Sequence, residues 1–500
     1  MKKVLIALMS AALLGGMSSC TKWLDVETDT HVSESQMFET SAGMRIALNG
    51  IYSSLGEPSL YGQNLTWGLV SVLSRDYKNA NLPSSYKDGT LITKDGEWSE
   101  RYAFPIVDPI WTKAYNTLAN VNNLLQAVEK APESLFTEYP TLERNLFMAE
   151  LRGLRALIHF DLLRLFAPAP IKDDGKAHMP YVEKFPEYQP KKLTVNEVME
   201  KIEADFLYSA KLLADIDTMG SAGETEFTCS PYRTYSGDSR FKTSYNSSNA
   251  KGAWYAMGGT RINYPAVTAL LVRFYMWKGD KQAAVDASQY LRYKSWYAMS
   301  STNNWQSNKN SRKLYKDILF AAYNTDLPQN FADVNKNKNF RYDDKVFKAL
   351  YANDKDDYRG VLMIDETNNY APARWVQPAK STTDSQTEDP LAPVIRLSEV
   401  YLALIECYAD TDLEKAIKTL SDLRIRRNAK SQMNITTKEE LLEELEREYM
   451  RELQSEGQRF YYYKRLGKAV YQGDDVERYD FNLTNCWVLK RPIKEDDYSL

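Results

Sequence analysis

Glu446-Arg447-Glu448-Tyr449-Met450-Arg451-Glu452-Leu453-Gln454-Ser455-Glu456-Gly457-Gln458-Arg459-Phe460 is the stretch of this 500-residue chain on which the fold reading turns. Just upstream, Thr437-x-x-Glu440 has the spacing of a capping box, in which each side chain satisfies a backbone N–H of the other's residue. Leu442, Leu445, Tyr449 and Leu453 then recur at three- and four-residue intervals, the apolar stripe of an amphipathic helix. Gly457 ends that helix, since glycine enters the left-handed conformation without a Cβ clash. Glu448, Arg451 and Glu452 fall on the outer face and read as solvated charges, worth a few tenths of a kcal/mol per pair. An aromatic and basic run, Arg459-Phe460-Tyr461-Tyr462-Tyr463-Lys464-Arg465, follows.

Further upstream, two segments repeat one pattern. In Leu270 to Leu291 an apolar helix reaches Trp277-Lys278-Gly279-Asp280 and resumes with Ala283-Ala284-Val285 and Ala287; in Leu402 to Leu423 the turn is Ala409-Asp410-Thr411-Asp412, followed by Ala416-Ile417 and Leu420. A small residue early in the second helix lets two helices approach closely, and both segments resemble tetratricopeptide units. Residues from about 36 to 216 are also helical in pattern. Asp108-Pro109 reads as an N-cap and first-turn proline before a stripe of Ile110, Trp111, Ala114, Tyr115, Leu118, Val121, Leu125 and Val128. A second helix runs from about Leu142 to Phe166, with Leu146, Ala149, Gly153, Leu157 and Phe160 inward, and stops at Pro168. Thr194-x-x-Glu197 caps a third, striped by Val198, Ile202, Phe206, Ser209 and Leu213. The fold class expected is all-α dominated: a tetratricopeptide-like helical hairpin superhelix, its core at about 36–216, 262–294 and 394–470. Residues of about 217–261 and 295–393 lack helical period and read as loop-rich insertions.

The first residues carry an address. Met1-Lys2-Lys3 is basic, Val4 to Leu14 is an apolar run broken by Ser10, and small residues lead to Cys20. The apolar run is shorter than the roughly 20 residues of a spanning helix, so 1–19 reads as a removable signal peptide and 20–500 as a single domain. Removing Lys2 and Lys3 takes the formal charge from -4 to -6, a balance that gives no support to nucleic-acid binding. Cysteines beyond Cys20 number three, Cys229, Cys407 and Cys486, so disulfides do not build this fold; Cys407 reads as a buried thiol and a Cys229–Cys486 bridge stays open. The 34 Tyr and 10 Trp are more telling, because many stand in polar, Gly- and Asn-rich stretches that helix packing does not require.

Together these segments resemble the SusD/RagB family of surface lipoproteins of the Bacteroidetes. The run from Glu446 to Phe460 looks like the family signature E-R-x-x-E-L-x-x-E-G-x-R-F, with a departure at Tyr449. Ile110-Trp111-x-x-x-Tyr115, Ala149-Glu150-x-Arg152, Val394-Ile395-Arg396-Leu397-Ser398-Glu399 and Arg424-x-Arg426-Arg427 stand in the family's order, and Arg491-Pro492-Ile493-Lys494 is similar to its closing motif, with Lys494 in place of a proline. Met17-Ser18-Ser19-Cys20 resembles a lipobox, although Met17 stands where that motif prefers Leu, and an ordinary signal peptide is the alternative. The resemblance implies a lipid attached to Cys20, an outer-membrane location facing the cell exterior, capture of oligosaccharides or peptides, and a SusC-like TonB-dependent transporter as partner. Arg447, Glu448, Glu456, Arg459 and Glu150 are expected to hold the hairpins together as an ion-pair and capping network.

A neutral sugar needs an aromatic platform flanked by side chains that donate and accept hydrogen bonds. Two stretches supply both: Arg75, Asp76, Asn79 and Asn81 through Trp98, and Trp296, Tyr297 and Trp305. Each of these tryptophans is equally well read as packing an insertion onto the frame. The sequence has no G-x-S-x-G, phosphate loop or H-E-x-x-H, and its three histidines, His31, His159 and His178, are scattered, so no catalysis, metal or cofactor is expected. Asp333-x-Asn335-x-Asn337 with Asp344 mimics a calcium loop, but Lys338 stands where glycine is needed and the bidentate Glu is absent. Two competing functions are an adaptor that binds proteins in its helical grooves and a glycoside hydrolase with an unrecognised carboxylate pair.

Overall fold

The computed structural model describes residues 34–218, 254, 258–293, 311–376 and 389–495, apart from short breaks at 89, 93–96, 137–139, 482–485 and 494. Helix α1, Ser41–Leu55, starts where the Thr40 side chain accepts the Gly43 N–H at 3.1 Å. A short helix α2, Leu69–Leu73, leads to the long α3, Phe104–Lys130. Helix α3 begins before the expected start at Pro109: Pro105 takes the first-turn position, and Pro109 lies inside the helix. The exchange is cheap, because Pro109 lies so near the helix start that it forfeits only a bond to a carbonyl of the first turn. Its stripe is buried as expected, except that Tyr115 is only half-buried.

Helix α4, Pro140–Phe166, packs along α3 and then, after the small antiparallel ribbon of β1 (Ala177–Pro180) and β2 (Lys192–Thr194), along α5, Val195–Thr218. Glycine decides the last contact. A Cβ on Gly153 would lie 2.9 Å from both Ser209 Oγ and Ile262 Cγ2, and Ser209 Oγ itself donates to Ala149 O at 2.7 Å. Thr194 and Glu197 form the expected reciprocal cap of α5.

The two repeat-like segments are helical hairpins, and they pack on each other. Helix α6 (Tyr264–Lys278), capped by Asn263 and closed by Gly279 at φ 87°, is followed by α7, Lys281–Ala287. Ala284 is fully buried at their closest approach. Between the hairpins, the expected insertion carries structure of its own: strands β3 (Ile318–Tyr323), β4 (Ile364–Asp365) and β5 (Ala371–Pro372), and helices α8 (Leu327–Val334), α9 (Asp344–Leu350) and α10 (Tyr358–Leu362). Strand β6, Leu391–Arg396, pairs antiparallel with β3 in a register from Ile318↔Arg396 to Tyr323↔Leu391 and runs straight into α11, Leu397–Thr411. All six residues of β6 are buried, so it reads in sequence as a short apolar run without alternation, and Pro393 masks it further. Helix α12, Leu413–Arg426, completes the second hairpin. Arg273 on α6 donates to Glu399 on α11 at 2.5 and 2.6 Å, and Cys407 Sγ lies 3.4 Å from Met276 Sδ, so charge and packing both join the hairpins.

Helix α13, Lys438–Glu452, carries the predicted capping box and ends before Gly457, whose φ is 75°; α14, Gln458–Leu466, follows. Leu441 takes the buried place expected of Leu442, which is half-buried. The reading of its charges needs a larger correction. Glu448 and Glu452 are not solvated: both are fully buried, with Arg451 8% exposed, because β6 and the insertion cover the face expected to be outer. Glu448 accepts from Arg359 at 2.5 Å, Arg451 at 2.7 Å and Arg424 at 3.0 Å, while Glu452 accepts from Arg396 at 2.7 Å and Arg427 at 2.9 Å. Glu456 pairs with Arg396 at 3.0 Å, and Arg459 donates to Asp76 at 2.7 Å. Arg447 joins this cluster at its edge, pairing with Glu444 at 3.3 Å, which also binds Arg424 and Arg451, and with Asp474 at 2.9 Å; Glu150 forms a separate buried site with Tyr52 and Arg261.

Candidate ligand-binding surface

The first predicted binding stretch is held by residues distant in sequence. Arg75, at φ 60°, follows the end of α2 and lays its guanidinium over the Tyr479 ring, 3.3 Å from the centroid. The same guanidinium donates to Asp88 at 2.5 Å, and the Asp88 N–H donates to Asn79 Oδ1 at 3.0 Å. Asn79–Asn81 is a single 3-10 turn pinned at both ends: Lys78 N donates to Arg341 O at 2.8 Å and Phe340 N donates to Asn81 O at 2.8 Å. The result is an exposed polar rim of Asn79 and Asp88 beside the Arg75 guanidinium, which covers the Tyr479 ring. Neither Tyr479 nor Asp88 was singled out in the sequence, since nothing local marks a tyrosine that far along the chain as a partner of Arg75.

Asp76 and Trp98 lie inward. Asp76 is 4% exposed; one carboxylate oxygen accepts from Arg459 and the other from Ser455 N at 2.9 Å. Burial raises its pKa even though the Arg459 charge and these hydrogen bonds oppose the rise. Trp98, also 4% exposed, donates its indole N–H to Val488 O at 2.8 Å. Both serve to tie the loop to the C-terminal segment. Cys20, Trp296, Tyr297, Trp305 and Cys229 lie outside the described residues.

Among the described residues, three of the open cavities are each large enough for a small molecule. The first, of about 350 Å³, lies between α3 and the loop after β1 and is walled by Trp111, Tyr115, Phe185 and Tyr188. A second, of about 510 Å³, is apolar and lies against α9 and α10, where Phe347, Tyr351 and Val361 line it. The third, of about 430 Å³, runs along α13, and most of its charges are paired with one another: Arg424 with Asp354 and Glu444, Arg447 with Asp474. The calcium-like string is likewise spent on cations and helix. Asp333 sits in α8 beside Lys336 at 2.8 Å, Asn335 accepts from Arg341, and Asp344 sits in α9 within 3.7 Å of Lys78. Asp173, Asp174 and His178 gather their ligand atoms within 4.8 Å, but Asp174 already accepts from His178 at 2.7 Å.

Residues 227–488, more than half of the chain, match the family model described as the SusD family. The chain belongs to the SusD family. Residues 22–228 match a further model, described as "starch-binding associating with outer membrane". None of the curated proteins compared matches the sequence. Among solved structures, a SusD superfamily protein from Bacteroides thetaiotaomicron is similar at 22% identity over 90% of this chain and 94% of its own, with a TM-score of 0.62. A SusD-like carbohydrate binding protein from Bacteroides vulgatus is similar at 16% identity over 92% of this chain and 96% of its own, with a TM-score of 0.64. At these identities the likeness carries the fold. In this SusD-family chain, the helical class expected from periodicity and resemblance is the one observed, and the run from Glu446 to Phe460 is a folding motif: its acids neutralise buried arginines. No helix among the described residues is long and apolar enough to cross a membrane.

Proposed function

We propose that this protein is a lipid-anchored binding protein of the outer membrane that captures neutral oligosaccharides outside the cell and passes them to a SusC-like TonB-dependent transporter. The observation that carries the reading is the match of residues 22–228 to a family described as starch-binding, because that segment contains the Arg75–Trp98 loop. The loop supports it: Asn79 and Asp88 stand exposed at its edge with polar groups for a sugar's hydroxyls, held in place by the Arg75 guanidinium that covers the Tyr479 ring. Arg75, Asn79, Asn81, Trp296, Tyr297 and Trp305 remain the proposed contact residues, with Asp76 and Trp98 positioning the loop. No bond is made or broken; Cys20 carries the lipid, and several acyl chains anchor stably where one would not.

An array of neutral oligosaccharides and peptides tests the ligand class, and binding of peptides alone would favour the adaptor reading. Labelling cells with a clickable fatty acid tests the anchor, an unlabelled wild-type protein counting against it. Co-purification from detergent-solubilised membranes tests the transporter partner. Unchanged saccharide after long incubation is the expected result of product analysis.

A further inference from the structure

The cavity between α3 and the loop after β1 is far better organised than its surface position requires. Five contacts hold the loop from Pro180 to Phe185 against the helical frame. Tyr115 OH donates to Pro180 O at 2.9 Å, Asn122 Nδ2 to Val182 O at 3.0 Å, and Val182 N to His159 Nε2 at 3.0 Å. Gln126 closes the set in both directions, donating to Phe185 O at 2.8 Å and accepting from Phe185 N at 3.3 Å. Beyond these clamps the chain continues through Pro186 to Tyr188, whose ring is 89% exposed. Tyr188 lines a cavity together with Trp111, 3% exposed, Tyr115 and Phe185.

The polar groups decide the chemistry of the occupant. The Trp111 indole N–H has no acceptor among the described residues, and its residue lines the cavity. Lys184 and Glu187 line it, exposed and without an ion pair among the described residues, and the exposed Glu495 lines it as well. A purely apolar ligand would leave these donors and acceptors unused; an ionic one would meet both signs of charge. A pyranose satisfies the set, with a C–H face for the exposed ring and hydroxyls for the indole, the ammonium and the carboxylates. The volume of about 350 Å³ falls within the ~300–1,000 Å³ range of small-ligand pockets.

We infer that Trp111, Tyr188, Lys184 and Glu187 form a second saccharide subsite, separate from the Arg75–Asn79 rim, at which the protein holds another part of the captured glycan or a second glycan. The inference rests on the proposed carbohydrate function. Because its loop is clamped before ligand arrives, little ordering cost opposes binding.

Hydroxyl-radical footprinting of the full chain tests it, with maltohexaose, cellohexaose, xylohexaose and mannohexaose as probes, and with a proline-rich decapeptide as a control. The expected result is that at least one hexasaccharide protects the tryptic peptide Phe185–Lys191. The Tyr188→Ala variant should melt as the wild type does and bind that saccharide about fivefold more weakly by calorimetry. Protection elsewhere on the chain but not at Phe185–Lys191, or an unchanged affinity in Tyr188→Ala, overturns the subsite and leaves carbohydrate capture intact. Protection at this peptide by the decapeptide alone overturns the choice of occupant. If no hexasaccharide protects any part of the chain or releases heat, the carbohydrate reading falls and the subsite with it.

Discussion

The acidic residues of α13 illustrate how much a single side chain's surroundings change its worth. Glu452 is fully buried among Arg359, Arg396 and Arg427, so Glu452→Ala removes an acid shared by three buried guanidinium groups and leaves the cluster one negative charge short, with only Asp357, Glu448, Glu456 and Asp317 to hold them. Urea unfolding should show a loss of about 3–5 kcal/mol, the cost of breaking a buried charge cluster from one side. Arg447→Ala, on the same helix, removes part-exposed pairs with Asp474 and Glu444 and should change stability by less than about 1 kcal/mol. A comparable contrast separates the predicted binding residues. Trp98→Ala empties a buried site and loses the bond to Val488 O, and a loss of about 3–5 kcal/mol is expected. Asn79→Ala touches only the exposed turn, so saccharide titration should record weaker binding while thermal unfolding stays where it was.

At the scale of elements, close approach matters more than propensity. Substituting valine at Gly153 places branched atoms where Ser209 and Ile262 already stand, and α4 and α5 must separate. A loss of about 1–3 kcal/mol is expected from overpacking, measurable by denaturant unfolding, and an unchanged midpoint would mean that the interface yields freely. Several helix ends behave as their sequences announce, although the Asp108-Pro109 start expected for α3 lies inside the helix. Thr194, Asp280, Asp412 and Thr437 each accept a backbone N–H at the start of a helix, and Gly279 and Gly457 take positive φ at turns. These features were legible because a cap or a left-handed turn needs only residues within one turn of each other. Strand β6 was not, since a strand buried on both faces has no alternation to read, and its partner β3 lies in another part of the chain.

Across the whole molecule, buried titratable groups tie stability to pH. Burial pushes the His159 imidazole down to about 3, and its geometry agrees with a neutral ring: Nε2 accepts from Val182 N, leaving Nδ1–H for Arg155 O at 2.9 Å. The unfolded chain therefore takes up this proton first, near the ordinary value of 6.5, so stability is complete above that pH and falls as pH drops toward 3. The slope is about 1.4 kcal/mol per pH unit, or about 2 kcal/mol between about pH 6.5 and 5. Glu448 adds a second loss. Burial alone would raise its pKa, but Arg359, Arg451 and Arg424 outweigh it and hold the carboxyl at about 2, so its contribution is complete above 4.5 and is lost as pH falls toward 2. Urea midpoints measured from neutral to mildly acidic pH should decline from about 6.5 downward and steepen below about 4.5; a flat profile to pH 5 would contradict a neutral, buried His159.

Local chemistry was enough to establish the helices, their caps, the paired hairpins and the family, because apolar period, capping spacing and turn glycines act over a few residues. Long-range packing alone decided which charges are buried and which aromatic rings face solvent. Glu448 and Glu452 look like any exposed helix acids until β6 and the insertion cover them, and Trp98 looks like a platform until Val488 meets its indole. Tyr479 reaches Arg75, and Tyr188 stands beside Trp111, only in the folded chain. Burial is set by what arrives from elsewhere in the sequence, and no local pattern carries that information.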